Sequence, residues 1–245
     1  MIDWVCMIVK ADLHMHTVLS PCGDLDMGPV DIVKKAKSLG LNMIAITDHN
    51  TTIQAEYMVK NLCEEDLLII GGVEINSKED VHALALFEDL ESLRVYQKIL
   101  ESSLPEIINN PDKFGYQVAA DKDSNIIYQE EKLLISALSL GVEELGEKCI
   151  ELGGIFIPAH IDRRSYSIIS QLGFISPDLK ITAVELSYQD KEQKFQYFNK
   201  GKYPETSSSD AHYIEDIGRS YIEFEGDLSF QSLKKAIEER SFVIR

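Results

Sequence analysis

Short apolar runs and amphipathic stretches take turns along most of the chain. The runs at 11–13, 42–47, 67–73 and 81–87 read as strands, and so do 153–158, 183–187 and 205–208. Helical spacing fills the intervals. In 29–39 the apolar positions Ile32, Val33, Ala36 and Leu39 share one face, Pro29 suits a first turn and Gly40 suits the position after the helix. Further helices are predicted over 52–64, 90–104, 142–152, 166–172, 191–199 and 228–239. Near-continuous apolar strands alternating with helices predict a parallel sheet buried on both faces. At least six such units in one domain's length predict an α/β barrel rather than a layered sandwich.

The rhythm breaks at 105–129. There Asn109-Asn110-Pro111, Gly115 and the turn at 121–125 read as an insertion, with a hairpin pairing 118–120 with 126–128. An insertion of this length is either a lid or a surface excursion.

Composition adds little to the fold and more to the partners. Hydrophobic residues make up 44% of the 245 and charged residues 27%, as in an ordinary globular chain expected to form one domain over 1–245. The net charge of −17 argues against a broad grip on nucleic acid, which needs Lys and Arg along the backbone track. It leaves room for a small phosphorylated substrate, because bound cations reverse the local potential. No basic segment precedes the first apolar stretch, and no apolar run is long enough to span a bilayer, so a cytoplasmic protein without membrane contact is expected. Cys6, Cys22, Cys63 and Cys149 form no C-x-x-C pair and are expected as free thiols, with Cys63 and Cys149 packed in or near the core.

The chemistry lies in the histidines. Of the six, His14, His16, His49, His160 and His212 fall at or just after predicted strand C-termini, and His82 falls near the start of a strand. Strand C-termini converge on the active site of a parallel α/β barrel. Carboxylates are interleaved: Glu74 ends the third strand, and Asp210 stands two residues before His212. An imidazole–carboxylate set without a thiolate pair favours Zn²⁺, Mn²⁺ or Fe²⁺ in a reactive centre over a structural zinc site. His14, His16, His49, Glu74, His82, His160, Asp210 and His212 exceed what one tetrahedral cation needs, so two or three metals sharing a carboxylate are expected. Such a cluster suits hydrolysis of phosphate esters by metal-activated water, with no further catalytic side chain assigned.

The ordered strings Asp12-Leu13-His14-Met15-His16-Thr17, Ile46-Thr47-Asp48-His49-Asn50, Gly72-Val73-Glu74-Ile75, Val81-His82-Ala83-Leu84, Pro158-Ala159-His160 and Ser209-Asp210-Ala211-His212 resemble the PHP (polymerase and histidinol phosphatase) family. The resemblance spans 12–212. It implies a distorted (β/α)7 barrel with a trinuclear centre at its C-terminal mouth. It further implies that His14, His16, Glu74 and Asp210 hold one metal, that Glu74, His82 and His160 hold a second, and that His49 and His212 belong to a third. Several members of the family supply another histidine from the loop after the first motif. The loop 18–27 has none here; Asp24 is the first candidate replacement, with Asp26 and Cys22 behind it.

Arginine offers a planar fork matched to phosphate, and Arg163 and Arg219 are the candidates for binding it, Arg163 first. Glu185, ending the strand at 183–187, either holds a ligand histidine or pairs with a basic residue in the barrel. The expected activity is that of a phosphomonoesterase on a small molecule such as a nucleotide or histidinol phosphate. Three other readings stand beside it: an exonuclease-type phosphodiesterase, an amide-bond hydrolase, and a non-catalytic metal-binding protein.

Overall fold

The computed structural model describes residues 7–187 and 201–245, so the helix expected at 191–199 lies outside the described residues. The chain opens with β1 (Met7–Asp12), α1 (Pro29–Ser38), β2 (Met43–Ile46), α2 (Ile53–Leu62) and β3 (Leu68–Asn76). It continues with β4 (His82–Phe87), α3 (Leu90–Ser103), the single turn α4 (Pro111–Phe114), and the strands β5 (Gln117–Ala120) and β6 (Ile126–Glu130). Then come α5 (Val142–Glu151), β7 (Ile155–Pro158), α6 (Ile168–Leu172), β8 (Val184–Leu186) and β9 (Glu205–Ser207). The last elements are β10 (Ile222–Gly226), α7 (Phe230–Glu239) and β11 (Phe242–Ile244).

Seven strands form a curled sheet in the order β11-β10-β1-β2-β3-β4-β7, and β8 pairs with β9 in parallel beside it. Hydrogen bonds close the remaining gaps. Thr182 N donates to Phe156 O (2.8 Å) and Ile161 N to Glu185 O (2.9 Å), joining β8 to β7. Ala211 N donates to His14 O (3.3 Å) and His16 N to Ala211 O (2.9 Å), joining the segment after β9 to the segment after β1. The fold is the expected α/β single domain, a distorted barrel.

The expectation of a parallel sheet is corrected in part. β1–β2 and β2–β3 are parallel, but β3–β4, β4–β7, β1–β10 and β10–β11 are antiparallel. The turn between β3 and β4 at 77–81 is too short for the crossover that parallel neighbours require. Burial on both faces, the property that suggested parallel pairing, is nevertheless present. All four residues of β2 are buried. Met43 and Ala45 pack with Val9, Ala11, Leu84 and Ile157, while Ile44 and Ile46 face Ile32, Ala36 and Met58 of α1 and α2. Each fully buried Ile or Met of this kind contributes about 1.5–3 kcal/mol.

Sequence reading missed β10 and β11. β10 alternates buried Ile222 and Phe224 with more open Glu223 and Glu225, the mark of an antiparallel strand with one wet face. The hairpin of the insertion is present as β5 and β6. Gln54 of α2 clamps it in both directions: its Nε2 donates to Ala120 O (3.0 Å) and its Oε1 accepts from Ala120 N (2.7 Å). Cys149 is buried as expected, but Cys63 is exposed because it caps α2 at the surface rather than continuing its inner face. No helix among the described residues is long and apolar enough to cross a membrane.

Candidate metal centre

The end of the barrel that carries the histidines is assembled by strand direction. β1, β2 and β3 run in parallel, so the residues after β1 and β2 and the end of β3 lie together, with bridges at Met15–Ala211 and His49–Glu74. β4 is antiparallel to β3, so its first residue, His82, lies opposite Asn76 at that same end. β7 is antiparallel to β4 in turn, which returns Pro158 and the following His160 to it. The position of His82 at a strand start is thereby explained.

Glu74 is the centre of the group. Its Oε2 faces His14 Nε2 (3.4 Å), His16 Nε2 (3.2 Å) and His49 Nδ1 (3.3 Å). Its Oε1 faces His82 Nδ1 (3.0 Å) and His160 Nε2 (3.2 Å). Asp210 Oδ1 lies 3.3 Å from His14 Nε2 and 3.4 Å from His16 Nε2. His212 packs its ring on His16, with centroids 4.4 Å apart. Three groups have donor atoms mutually within 4.8 Å: His14, His16, Glu74 and Asp210; His49, Glu74 and His82; and His16, Cys22 and His49.

These residues fit cations better than they fit one another. His14 Nε2, His16 Nε2 and His49 Nδ1 are buried without a hydrogen-bond partner, although a carboxylate oxygen stands within 3.4 Å of each. A buried polar atom left this way is costly. Two ligands each ~2.1 Å from one tetrahedral cation stand ~3.4 Å apart, which is the spacing found here.

A layer of hydrogen bonds fixes which ring nitrogens face inward. Glu185 Oε2 accepts from His14 Nδ1 (3.0 Å), which leaves Nε2 to the cluster, and also accepts from His160 N (3.2 Å). Ser20 Oγ gives its one proton to Asp48 Oδ1 (2.7 Å), so it accepts from His16 Nδ1 (3.0 Å) and from His49 N (3.1 Å). His212 Nδ1 donates to Asp210 O (2.8 Å). Orientation of this kind is what metal ligands need. Backbone strain contributes as well: His160 (φ 32°) and Asp210 (φ 49°) occupy the left-handed region at a cost of about 1–3 kcal/mol each.

Burial and opposed charges set the titration of the cluster's own residues. Burial opposes charge on His14, but the Glu185, Asp210 and Glu74 carboxylates hold its pKa well above the ordinary value. For His16 the same opposition is outweighed by the Asp210 and Glu74 carboxylates facing it, and its pKa is raised to about 9. Burial would raise Glu74 and Asp210, yet the surrounding histidines hold both well below the usual carboxylate range. Burial pushes His49 well down and His212 down to about 4. Cys22 is exposed as a residue, but its thiol lies beside His16 and His49, where neighbouring atoms and then Glu74, Asp48 and Asp210 push its pKa up, an effect that a bound cation would invert.

Three of the residues singled out in the sequence have other contacts. Asp24 is absent from the three donor groups; its Oδ1 accepts from Asp26 N (3.0 Å), and its N–H donates to His212 O (2.9 Å). Arg219 donates from Nε to Ser209 O (2.9 Å) and from Nη1 to Asp216 Oδ1 (2.7 Å), and so braces the strained turn at Asp210. Arg163 is at the rim, half-buried, with Nη2 2.6 Å from Asp210 Oδ2. Sequence reading overlooked Tyr166, which stacks on His82 with centroids 4.5 Å apart and remains 46% exposed. It also gave no role to Ser20 and left Asp48 as part of a motif. An apolar run cannot signal a hydroxyl that orients a ring across a loop.

A barrel that gathers imidazoles and carboxylates at one end in this geometry is the framework of a metal-dependent hydrolase. The chain belongs to the PHP domain family, whose model matches residues 12–156; a model of the PHP-associated region matches 190–242. The uncharacterized protein MJ0043 of Methanocaldococcus jannaschii is 26% identical over 198 residues, which are 80% of this chain and 22% of that protein. MJ1587 of the same organism is 33% identical over 93 residues, 34% of this chain and 53% of that one. The chain thus spans about a fifth and about half of the length of these two relatives. Among solved structures, the lesion-specific endonuclease PfuEndoQ from Pyrococcus furiosus superposes with a TM-score of 0.73 at 23% identity, over 95% of this chain and 56% of that one. A proposed metal-dependent phosphoesterase from Bifidobacterium adolescentis superposes with a TM-score of 0.57 at 20% identity, over 94% and 96%. These likenesses establish the fold.

Proposed function

We propose that this protein hydrolyses phosphoesters at a cluster of two or three divalent cations, with a small phosphorylated molecule as substrate. The observation that carries the reading is the convergence on Glu74: five imidazole nitrogens within 3.4 Å of its two oxygens, with the Arg163 guanidinium beside them at the rim. On this reading His14, His16, Glu74 and Asp210 hold one cation, and Glu74, His82 and His160 a second. His49 and His212 belong to a third. Cations placed there would polarise a phosphoryl oxygen and activate water. The chain's own residues do the rest. Glu185 and Ser20 keep His14 and His16 in the tautomers that present Nε2. Arg163 offers its fork to a phosphate oxygen not held at the cluster. The expected role for Asp24 in the cluster is not retained, and Arg219 acts on the Asp210 turn rather than on substrate.

A second reading, hydrolysis of a nucleic-acid phosphodiester, draws support from Tyr166. An exposed ring stacked on His82 at the mouth offers a face to a base. PfuEndoQ, with which this chain shares its fold, is a lesion-specific endonuclease. The net charge of −17 favours the smaller substrate.

The test strips the protein with a chelator, resupplies Mn²⁺ or Zn²⁺, and measures hydrolysis of p-nitrophenyl phosphate, its bis ester, mononucleotides and duplex DNA carrying an abasic site. Metal-dependent release from the monoesters supports the first reading. Cleavage of DNA alone moves the assignment to the second. Bound metal without turnover of any ester would refute both.

A further inference from the structure

We infer that Cys22 is a thiolate ligand of the cluster and, with His49, gives it a nitrogen–sulfur position that selects zinc over manganese. The inference rests on the proposal that the cluster holds cations and adds a ligand to it.

Cys22 Sγ and one ring nitrogen each of His16 and His49 lie within 4.8 Å of one another. Both imidazoles keep a buried nitrogen without a hydrogen-bond partner, His16 Nε2 and His49 Nδ1. His16 presents Nε2 to the donor group of His14, Glu74 and Asp210 while standing beside Cys22 and His49, so the two positions adjoin.

The loop that delivers the thiol is built to hold it there. Asp48 anchors its start, with Oδ1 accepting from Thr17 N (2.7 Å) and Oδ2 from Thr17 Oγ1 (2.8 Å). Two tight turns follow, Ser20 N to Thr17 O (3.1 Å) and Gly23 N to Ser20 O (3.0 Å). A Cβ at Gly23 would stand 2.1 Å from Thr17 O, so the turn that sets Cys22 over the cluster admits only glycine at the next position. Asp24 N then donates to His212 O (2.9 Å), which ties the loop's far end to the segment that carries His212.

A thiolate beside an imidazole suits Zn²⁺ or Co²⁺ and is a poor partner for Mn²⁺ or Mg²⁺, whereas the Glu74–Asp210 side, richer in oxygen, accepts either kind. Cys22 is also exposed to solvent, so reagents can reach it when no cation is bound.

Two measurements on the whole protein test this without reference to turnover. Reconstitution with Co²⁺ is expected to give a sulfur-to-cobalt charge-transfer band in the near ultraviolet, absent from Cys22→Ser. In the wild-type protein, Zn²⁺ is expected to slow alkylation of Cys22 by iodoacetamide at least tenfold, leaving the exposed Cys63 unchanged as internal control; this arm needs no variant. Bound cobalt without the band, or equal alkylation rates with and without zinc, would overturn the inference and leave the phosphoesterase proposal standing. A wild-type protein that takes up no cation would overturn both.

Discussion

Raising the pH should weaken the metal-free protein, and the size of the effect follows from His16. Its folded pKa of about 9 lies above the ordinary value of 6.5, so its contribution is fully present below pH 6.5 and is lost as pH rises through 9. At pH 7 this single group stabilises the fold by roughly 2–3 kcal/mol, and by pH 9 most of that is lost. His16 has no exposed surface, so solvent screening does not reduce the figure. His14, also held well above its ordinary pKa, acts in the same direction. His49 and His212 are held down and are neutral throughout this range, so they do not offset the loss. Urea unfolding of chelator-stripped protein at pH 7, 8 and 9 should therefore show a fall of at least about 2 kcal/mol. His16→Ala should flatten the curve by about that amount. Zinc-loaded protein should show the reverse trend, because cation binding must displace these protons and tightens as they become easier to remove. A metal-free stability that is level or rising between pH 7 and 9 would refute the reading of His16 and His14 as charged partners of Glu74 and Asp210.

The other expectations concern activity and metal retention. Glu74→Ala should abolish turnover more completely than His49→Ala, since Glu74 meets five imidazoles; equal residual rates in two folded variants would count against a bridging role. Glu185→Ala should weaken zinc binding tenfold to a hundredfold, or about 1.4–2.7 kcal/mol, by releasing His14 Nδ1; unchanged affinity in a competition titration would show that His14 is held otherwise. Arg163→Met should raise KM for a phosphomonoester by about tenfold, with a smaller effect in Arg163→Lys; an unaltered KM would leave Arg163 as a partner of Asp210 alone. His160→Asn should cost activity while leaving metal-free stability level or higher, because asparagine tolerates the positive φ at that position; a large loss of stability would show that the ring itself supports the fold.

Much of the fold was legible because burial leaves a periodic trace. The helices over 29–38, 90–103 and 142–151 fall within a residue of their expected ends, where Pro29, Asp89 and the Gly153 turn mark the boundaries. Pairing direction was not legible. A strand buried on both faces reads the same whether its neighbours run with it or against it, so β4 and β7 looked parallel until the short turn at 77–81 was seen to forbid a crossover. β10 was missed for a related reason: its five residues carry only two buried apolar side chains.

The sequence by itself named most of the candidate donors. Five of the six histidines fall at or just after strand ends, and the order of His, Glu and Asp along the chain marks the PHP domain family. Tertiary structure decided what those donors face. Only the antiparallel turn of β4 brings His82 to Glu74, only the Ser20–Asp48 pair turns His16 Nε2 inward, and only the fold of the 17–27 loop sets Cys22 rather than Asp24 among the donors. The physical reason is range. Residue type and periodicity report how a position meets solvent, a local property, whereas ligand geometry depends on hydrogen bonds and sterics between segments far apart in the chain, such as Gly218 N to Asp12 Oδ2, 206 residues apart.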